Sequence, residues 1–270
     1  MRRGLLFLAV GSSLALAGCM HGDWGMHARA NVSETRALAK DGAFSIENTN
    51  GRVEVTGWDE AKVSIEATKR AVSDRALQDV QVEITGEGDS LSVRTRHRRS
   101  HFFGGGGRVD YVVRVPRGAR VHVSNVNGRV EIDGVAGAIE ASNVNGSVDV
   151  HDAGGTVEAS NVNGSVEVAL ARVDAQSKSE LHTTNGSVRL TLPADANAEI
   201  DARTVNGGIG CDFDLAQESR SRRRLEGRIG AGGARFELRS VNGSVTVDRG
   251  LSSNAAERPP AEATPASEKR

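Results

Sequence analysis

From Phe44 onward, apolar and polar residues alternate with a period of two. Phe44 and Ile46, then Val53 and Val55 beyond Asn50-Gly51, open a series that runs through Val63 and Ile65, Val80, Val82 and Ile84, and Leu91 and Val93. Val109, Tyr111, Val113 and Val115 form a further run, and Val121 and Val123 close the set. Such runs, bounded by Gly, Asn and Asp, predict short half-buried strands. One stretch departs from this. Ser73 is suited to cap a helix, and Ala76, Leu77 and Val80 stand at helical spacing, which predicts one or two turns between Ser73 and Val80.

From Val126 the pattern becomes an internal repeat of nonapeptides: VNGRVEIDG, VAGAIEASN, VNGSVDVHD, AGGTVEASN, VNGSVEVAL. Gly holds the third place (Gly128, Gly137, Gly146, Gly155, Gly164), apolar residues the first, fifth and seventh, and an acid the sixth. The match improves at 18 residues, where Asn127, Asn145 and Asn163 recur; looser copies follow at Asn185-Gly186, Asn206-Gly207 and Asn242-Gly243. Two geometries compete. An Asn-Gly turn in every nonapeptide builds an antiparallel meander, but a turn at Gly154-Gly155 then sets Asp152 against Val157 and Val148 against Asn161. Stacking at 18 instead sets Val148 on Val130 and Val166, and Val150 on Ile132 and Val168. Each inward position then meets its own kind, as a coil buried by its neighbours requires. The preferred fold class is therefore all-β: a two-sided β-solenoid, or β-helix, of short strands with 18-residue repeats, capped by the less regular N-terminal strands. Gly in the third place supplies positive φ at the corners.

The flanks read differently. Arg2 and Arg3 precede an apolar stretch from Leu5 to Leu16 that is too short to span a bilayer and ends in Leu16-Ala17-Gly18-Cys19. This resembles a bacterial lipobox, which implies a signal peptide at 1–18 and lipidation of Cys19. Such a Cys anchors the mature chain to a membrane leaflet through several acyl chains. Met20, where an Asp commonly retains Gram-negative lipoproteins in the inner membrane, favours the outer membrane for a Gram-negative source. Residues 19–36 predict a lipidated tether, 37–250 the folded domain, and the Pro-, Ala- and Glu-rich 251–270 a disordered tail.

Three segments occur in order: Glu54-Val55-Thr56-Gly57-Trp58-Asp59, Ile65-Glu66-Ala67-Thr68-Lys69-Arg70, and Tyr111-Val112-Val113-Arg114-Val115-Pro116-Arg117-Gly118-Ala119. Repeated Ser-Asn-Val-Asn-Gly units follow them. Over about 40–248 the chain thereby resembles the bacterial adhesin-like domain family with β-strand repeats. The resemblance implies a β-helical envelope domain and no catalytic residues. The basic segment near 220–228 departs from the family pattern.

Charge narrows the function classes. The 270 residues carry 34 Lys plus Arg against 35 Asp plus Glu, so no global basic field for nucleic acid exists. Two local basic clusters stand out: Arg94, Arg96, Arg98 and Arg99 before His101-Phe102-Phe103 and a glycine run, and Arg220, Arg222, Arg223, Arg224 and Arg228. Their plain reading is two exposed, mobile loops. Their functional reading is contact with anionic envelope material such as lipopolysaccharide, phospholipid head groups or acidic glycan, since Arg suits phosphate and carboxylate.

Stacking at 18 also aligns Glu131, Asp149 and Glu167 on one face and Glu140 and Glu158 on the other. The first row reads as a solvated acidic stripe, or more sharply as a weak Ca²⁺ site. The Asn rows (Asn127, Asn145, Asn163; Asn125, Asn143, Asn161) read as structural, their amides satisfying corner backbone groups. Cys211 reads as a small buried hydrophobe. His97 and His101 stand at helical spacing in a non-helical context, so no metal site is expected, and no cofactor. The expected function is a lipid-anchored envelope protein presenting a rigid, non-catalytic surface. Expected partners are the membrane through Cys19, and envelope glycan, lipopolysaccharide or a membrane protein. The alternatives are a regulatory lipoprotein, a self-assembling scaffold and, least supported, a glycan-cleaving β-helix enzyme.

Overall fold

The computed structural model describes residues 27–98 and 107–251. The signal peptide, Cys19, Arg99, His101, Phe102-Phe103 and the tail beyond Leu251 lie outside the described residues. The N-terminal region consists of β1 (Ala28–Asn50), β2 (Val53–Trp58), β3 (Lys62–Ala71), helix α1 (Asp74–Gln78), β4 (Val80–His97) and β5 (Arg108–Pro116). The regular coils are β6 (Arg120–Asn127), β7 (Val130–Asp133), β8 (Ile139–Asn145), β9 (Val148–Ala153), β10 (Val157–Asn163), β11 (Val166–Leu170), β12 (Lys178–Asn185) and β13 (Val188–Leu192). The chain ends with β14 (Ala198–Asn206), β15 (Ile209–Cys211), β16 (Ala216–Ser221), β17 (Arg224–Ile229), β18 (Ala234–Asn242) and β19 (Val245–Arg249).

Each coil contributes one strand to each of two mainly parallel sheets. Sheet I runs β1 (its N-terminal half), β3, β5, β2, β7, β9, β11, β13, β19, β15. Sheet II runs β4, β1 (its C-terminal half), β6, β8, β10, β12, β18, β14, β17, β16. The register is the 18-residue one expected: Val130 pairs with Val148 and Val148 with Val166, while Ile132 pairs with Val150 and Val150 with Val168. None of these six side chains is more than 2% exposed. Sheet II faces them with columns such as Val123, Ala141, Ala159 and Leu181. Period-two alternation thus becomes one continuous apolar core between two polar faces. The predicted helical turns also form, with Ser73 Oγ accepting from the Ala76 N–H at 3.2 Å.

The Asn-Gly corners lock the stack. The outer amides form an uninterrupted chain in which Nδ2 of Asn127, Asn145, Asn163, Asn185, Asn242 and Asn206 each donates to the preceding Oδ1, beginning at Asn50. A second, buried polar row works on the backbone. Asn143 Nδ2 donates to the Gly128 carbonyl at 2.8 Å, Asn161 to Gly146, Thr183 Oγ1 to Gly164, Ser240 Oγ to Gly186 and Thr204 Oγ1 to Gly243. The carbonyls that the turn withdraws from the ladder are satisfied one coil at a time. The Asn rows therefore act structurally, as expected.

Three expectations need correction. The folded region starts before residue 37: Ala28 to Ala37 pair antiparallel with Ala71 to Lys62, because small and polar residues suffice for an edge ribbon backed by β3. Positive φ explains the glycines of only one corner. Gly128, Gly146 and Gly164 have φ of 138°, 127° and 139°, whereas a Cβ on Gly137 or Gly155 meets carbonyl oxygens of the neighbouring coil at 2.1 and 2.5 Å. Among the described residues, most of the two basic clusters lies on strands rather than in loops: Arg94 and Arg96 on β4, Arg220 on β16, and Arg224 and Arg228 on β17. Alternation turns Leu91, Val93 and Thr95 inward and Arg94 and Arg96 outward on β4, and β16–β17 form an antiparallel hairpin. Coil order also differs from chain order, since β18 and β19 lie between β12–β13 and β14–β15.

Candidate functional site

The outer face of sheet II carries the chemistry. Parallel register places one side chain per coil in a single column: Ser45, His122, Glu140, Glu158, Glu180, Glu237, Asp201 and, across the antiparallel step, Glu226. Six consecutive carboxylates thus stand about 4.8 Å apart. Toward the C-terminal end, cations on the flanking rows neutralise them. Lys178 Nζ lies 2.5 Å from Glu180 and 3.7 Å from Glu237, Arg239 2.8 Å from Glu237, and Arg203 2.6 Å from Asp201 and 3.5 Å from Glu226. The Lys178 ammonium holds the Glu180 carboxyl below its ordinary range, and Asp201 raises the Arg203 guanidinium. Solvent screens these exposed pairs, so they shape the surface field more than the stability.

Toward the N-terminal end, Glu140 is met by His122, with Nδ1 to Oε2 at 3.0 Å. There the face sinks into a groove of about 690 Å³, lined by Ser45, Ser90, Ser92, Arg120, His122, Glu140 and Glu158 and bordered by Thr85 and Gly86 of β4.

The two basic clusters occupy opposite ends of this face, since β4 is the first strand of sheet II and β16 the last. Nine strand spacings separate them, roughly 43 Å. They cannot grip one small ligand together. Arg94 is held by Glu47, which raises its guanidinium, and Arg96 by Glu83 at 2.5 Å. At the far end, Arg220 lies 3.5 Å from Glu218, and Arg224 pairs with Glu226. Arg222 and Arg223 are exposed at the turn between β16 and β17, and neither side chain has a partner among the described residues. Arg228 Nε is buried and unpartnered beside a second groove of about 360 Å³.

The stripe on sheet I is aligned as expected, Glu131 with Asp149 and Asp149 with Glu167. It is not a row of free carboxylates. Asp149 is 4% exposed and accepts from Arg129 Nε at 2.8 Å and Ser147 Oγ at 2.6 Å, while Arg52 lies 2.6 Å from Glu131. Arginines from neighbouring coils hold the places a cation would take at Glu131 and Asp149. His97 points inward, and burial lowers its pKa; Cys211 is half-buried against the core, and burial raises its thiol.

Glu180, Glu237, Asp201 and Glu226 escaped sequence reasoning because the segment between β11 and β12 breaks the nonapeptide count. Aligning Lys178–Val188 on the Asn-Gly of earlier units recovers Glu180 opposite Glu158. An exposed ridge of Val126, Val144, Val162 and Val205, between the two Asn rows, was also missed. Its signal was the Asn-Val-Asn triplet itself.

A search of the curated proteins finds no match. Among solved structures, the chain is similar to a candidate cell adhesion protein from Clostridium sporogenes, at 9% identity over 82% of this chain and 100% of that one, with a TM-score of 0.48. It is also similar to a candidate adhesin from Bacteroides fragilis, at 11% identity over 82% and 97%, with a TM-score of 0.37. A candidate lipid-binding protein from Parabacteroides distasonis follows at 8% identity over 82% and 96%, with a TM-score of 0.30. One family model matches, over residues 127–248, a span that opens at the first Asn-Gly corner of the regular coils and closes in β19. That stretch of stacked coils is similar to the Toastrack family DUF4097.

Proposed function

We propose that this protein is a lipid-anchored envelope protein that presents its solenoid as a rigid, non-catalytic binding surface, with β16–β17 as the contact element. The observation that carries this reading is the position of Arg222 and Arg223. They stand unpartnered on a hairpin at the end of sheet II farthest from the N-terminal strands, which follow the lipobox-like Leu16-Ala17-Gly18-Cys19. A chain held at Cys19 offers those arginines to anionic envelope material, such as lipopolysaccharide or acidic glycan, some tens of ångströms away. The interlocked Asn-Gly corners make the intervening coils a stiff spacer. The acids of the outer face stand one per coil, which supports a binding role. Met20 after Cys19 favours the outer membrane in a Gram-negative cell.

The reading is tested in two arms. A clickable fatty acid is expected to label the protein in cells and to be lost in Cys19→Ser; labelling unchanged by that substitution overturns the anchor. Purified protein is expected to bind lipopolysaccharide-coated beads, less at high salt and less again in Arg222→Ala/Arg223→Ala. Binding indifferent to salt and to both substitutions overturns the contact role of the hairpin.

A further inference from the structure

The last coil of the chain is not the last coil of the solenoid. β18 pairs in parallel with β12 on one side and β14 on the other, and β19 likewise with β13 and β15. Residues 178–211 therefore contain two coils that follow each other in sequence yet stand one full coil apart in space. The distance from β12 to β14 is two strand spacings, about 9.6 Å. Residues 234–249 fill this slot from both sides. Phe236, Leu238, Val245 and Val247 are fully buried. Asn242 joins the amide chain between Asn185 and Asn206 at 2.8 and 2.9 Å. Ser240 Oγ donates to the Gly186 carbonyl, and Thr204 Oγ1 to that of Gly243, each at 2.8 Å.

Residues 234–249 follow both walls of the slot in the chain, so the walls are synthesised before the insertion. Before it, four strands present unpaired edges to the slot, which is a template for any strand of matching register. The segment that enters hangs on Gly230-Ala231-Gly232-Gly233, whose glycines have φ of 57°, 79° and 129°. That turn is tied down by the Ala231 N–H, which donates to Asn197 Oδ1 at 2.8 Å, and by the Gly232 N–H, which donates to the Ile229 carbonyl at 3.1 Å. A glycine hinge of this kind straightens at little steric cost. The slot accepts an identical coil from a second copy as well as its own, with the same ladder bonds and the same buried side chains.

We propose that residues 234–249 are an exchangeable coil, and that two copies of this chain are joined by reciprocal insertion of it between β12–β13 and β14–β15. The interface is the native slot itself, so exchange needs no new surface. It requires only that the hinge open and that a second copy be present while the slot is empty.

Ser187 and Ser244 report the exchange, since their Oγ atoms are 3.2 Å apart across β13 and β19 and both are exposed. In full-length chains carrying Cys19→Ser and Cys211→Ser, one copy receives Ser187→Cys and a longer-tagged copy Ser244→Cys. The two are unfolded together, refolded at graded concentrations and oxidised. A covalent heterodimer is expected, its ratio to monomer rising about tenfold for a tenfold rise in protein concentration. The same copies folded separately and then mixed are expected to give little. Equal heterodimer in the two preparations at every concentration overturns the proposal. A single chain carrying Ser187→Cys/Ser244→Cys checks the geometry: it is expected to close an internal disulfide when refolded dilute, and failure to do so overturns the proposed slot as well.

Discussion

Gly146 offers a quantitative test of how the coils hold together. Its φ is 127°, and a Cβ placed on it stands 2.1 Å from the Gly128 carbonyl oxygen, whereas real Cβ atoms keep at least 3.0 Å from such a neighbour. Gly146→Ala therefore has to push adjacent coils away from each other locally by about 1 Å. That displacement falls on the Gly128 N–H to Asn145 O bond at 2.9 Å and the Asn143 Nδ2 to Gly128 O bond at 2.8 Å. The positive φ alone costs a non-glycine residue roughly 1–2 kcal/mol. Weakening two hydrogen bonds, one of them part-buried, adds about 2 kcal/mol, so the expected loss is about 3–4 kcal/mol. Gly88 is the control. It too has positive φ, 81°, but nothing lies within 4 Å of its Cβ position, so Gly88→Ala incurs only the backbone contribution. Differential scanning calorimetry of the two variants reads the difference. At about 2–4 °C per kcal/mol for a protein of this size, Gly146→Ala is expected to melt several degrees below Gly88→Ala. Equal melting temperatures would refute the argument that close stacking, beyond turn conformation, demands glycine at the corner.

Two further outcomes follow from the polar rows and from the one tyrosine. Asn143→Ala leaves the part-buried Gly128 carbonyl without its side-chain donor and is expected to cost about 1–3 kcal/mol, whereas Asn145→Ala breaks an exposed amide link and is expected to cost less than about 1 kcal/mol; urea melts compare them. Tyr111 is the sole tyrosine, and burial between the sheets pushes its pKa up to about 12. The unfolded phenol ionises near 10, so folding stability is complete below that pH and falls as pH rises from about 10 to about 12, by roughly 2–3 kcal/mol in all. Tyrosinate absorbance rising at pH 10 with the far-ultraviolet signal still native contradicts this, and Tyr111→Phe is expected to flatten the pH dependence.

Much of the architecture was legible because a solenoid repeats its own argument. Val148 meeting Val130 and Val166 follows from spacing alone, and so do the inward Asn125, Asn143 and Asn161. What escaped is what spacing does not encode. Ala28–Ala37 lack an apolar stripe, yet they pair along β3, where the partner strand rather than the segment's own burial supplies order. Arg94 and Arg96 read as a loop because four arginines crowd the apolar signal of Leu91 and Val93, although the period of two runs straight through them. The acidic row Glu131–Asp149 was placed correctly but not its neutralisation, since Arg129 and Arg52 reach it from adjoining coils, the latter from a position 79 residues away in sequence.

The placement of the last coil shows where repetition itself removes information. One corner of each coil carries Asn-Gly, and the buried polar place before it accepts Asn, Thr or Ser with the same bond to a glycine carbonyl. Any coil is therefore compatible with any neighbour in register, and side-chain identity cannot fix the order of coils. Order must come from connections. The link from β13 to β14 leaves a space two spacings wide, and the antiparallel β16–β17 hairpin, bound to β14 through Ala198–Ile229 and the pairs that follow, closes the far edge of sheet II. With that edge closed, the internal slot is the remaining place where β18 gains two parallel neighbours instead of one. The hairpin that displays Arg222 and Arg223 thus also directs the final coil inward. It follows that weakening the hairpin, for example at Leu225, which is fully buried between β14 and β16, releases the edge of β14 and lets β18–β19 compete for the outside position.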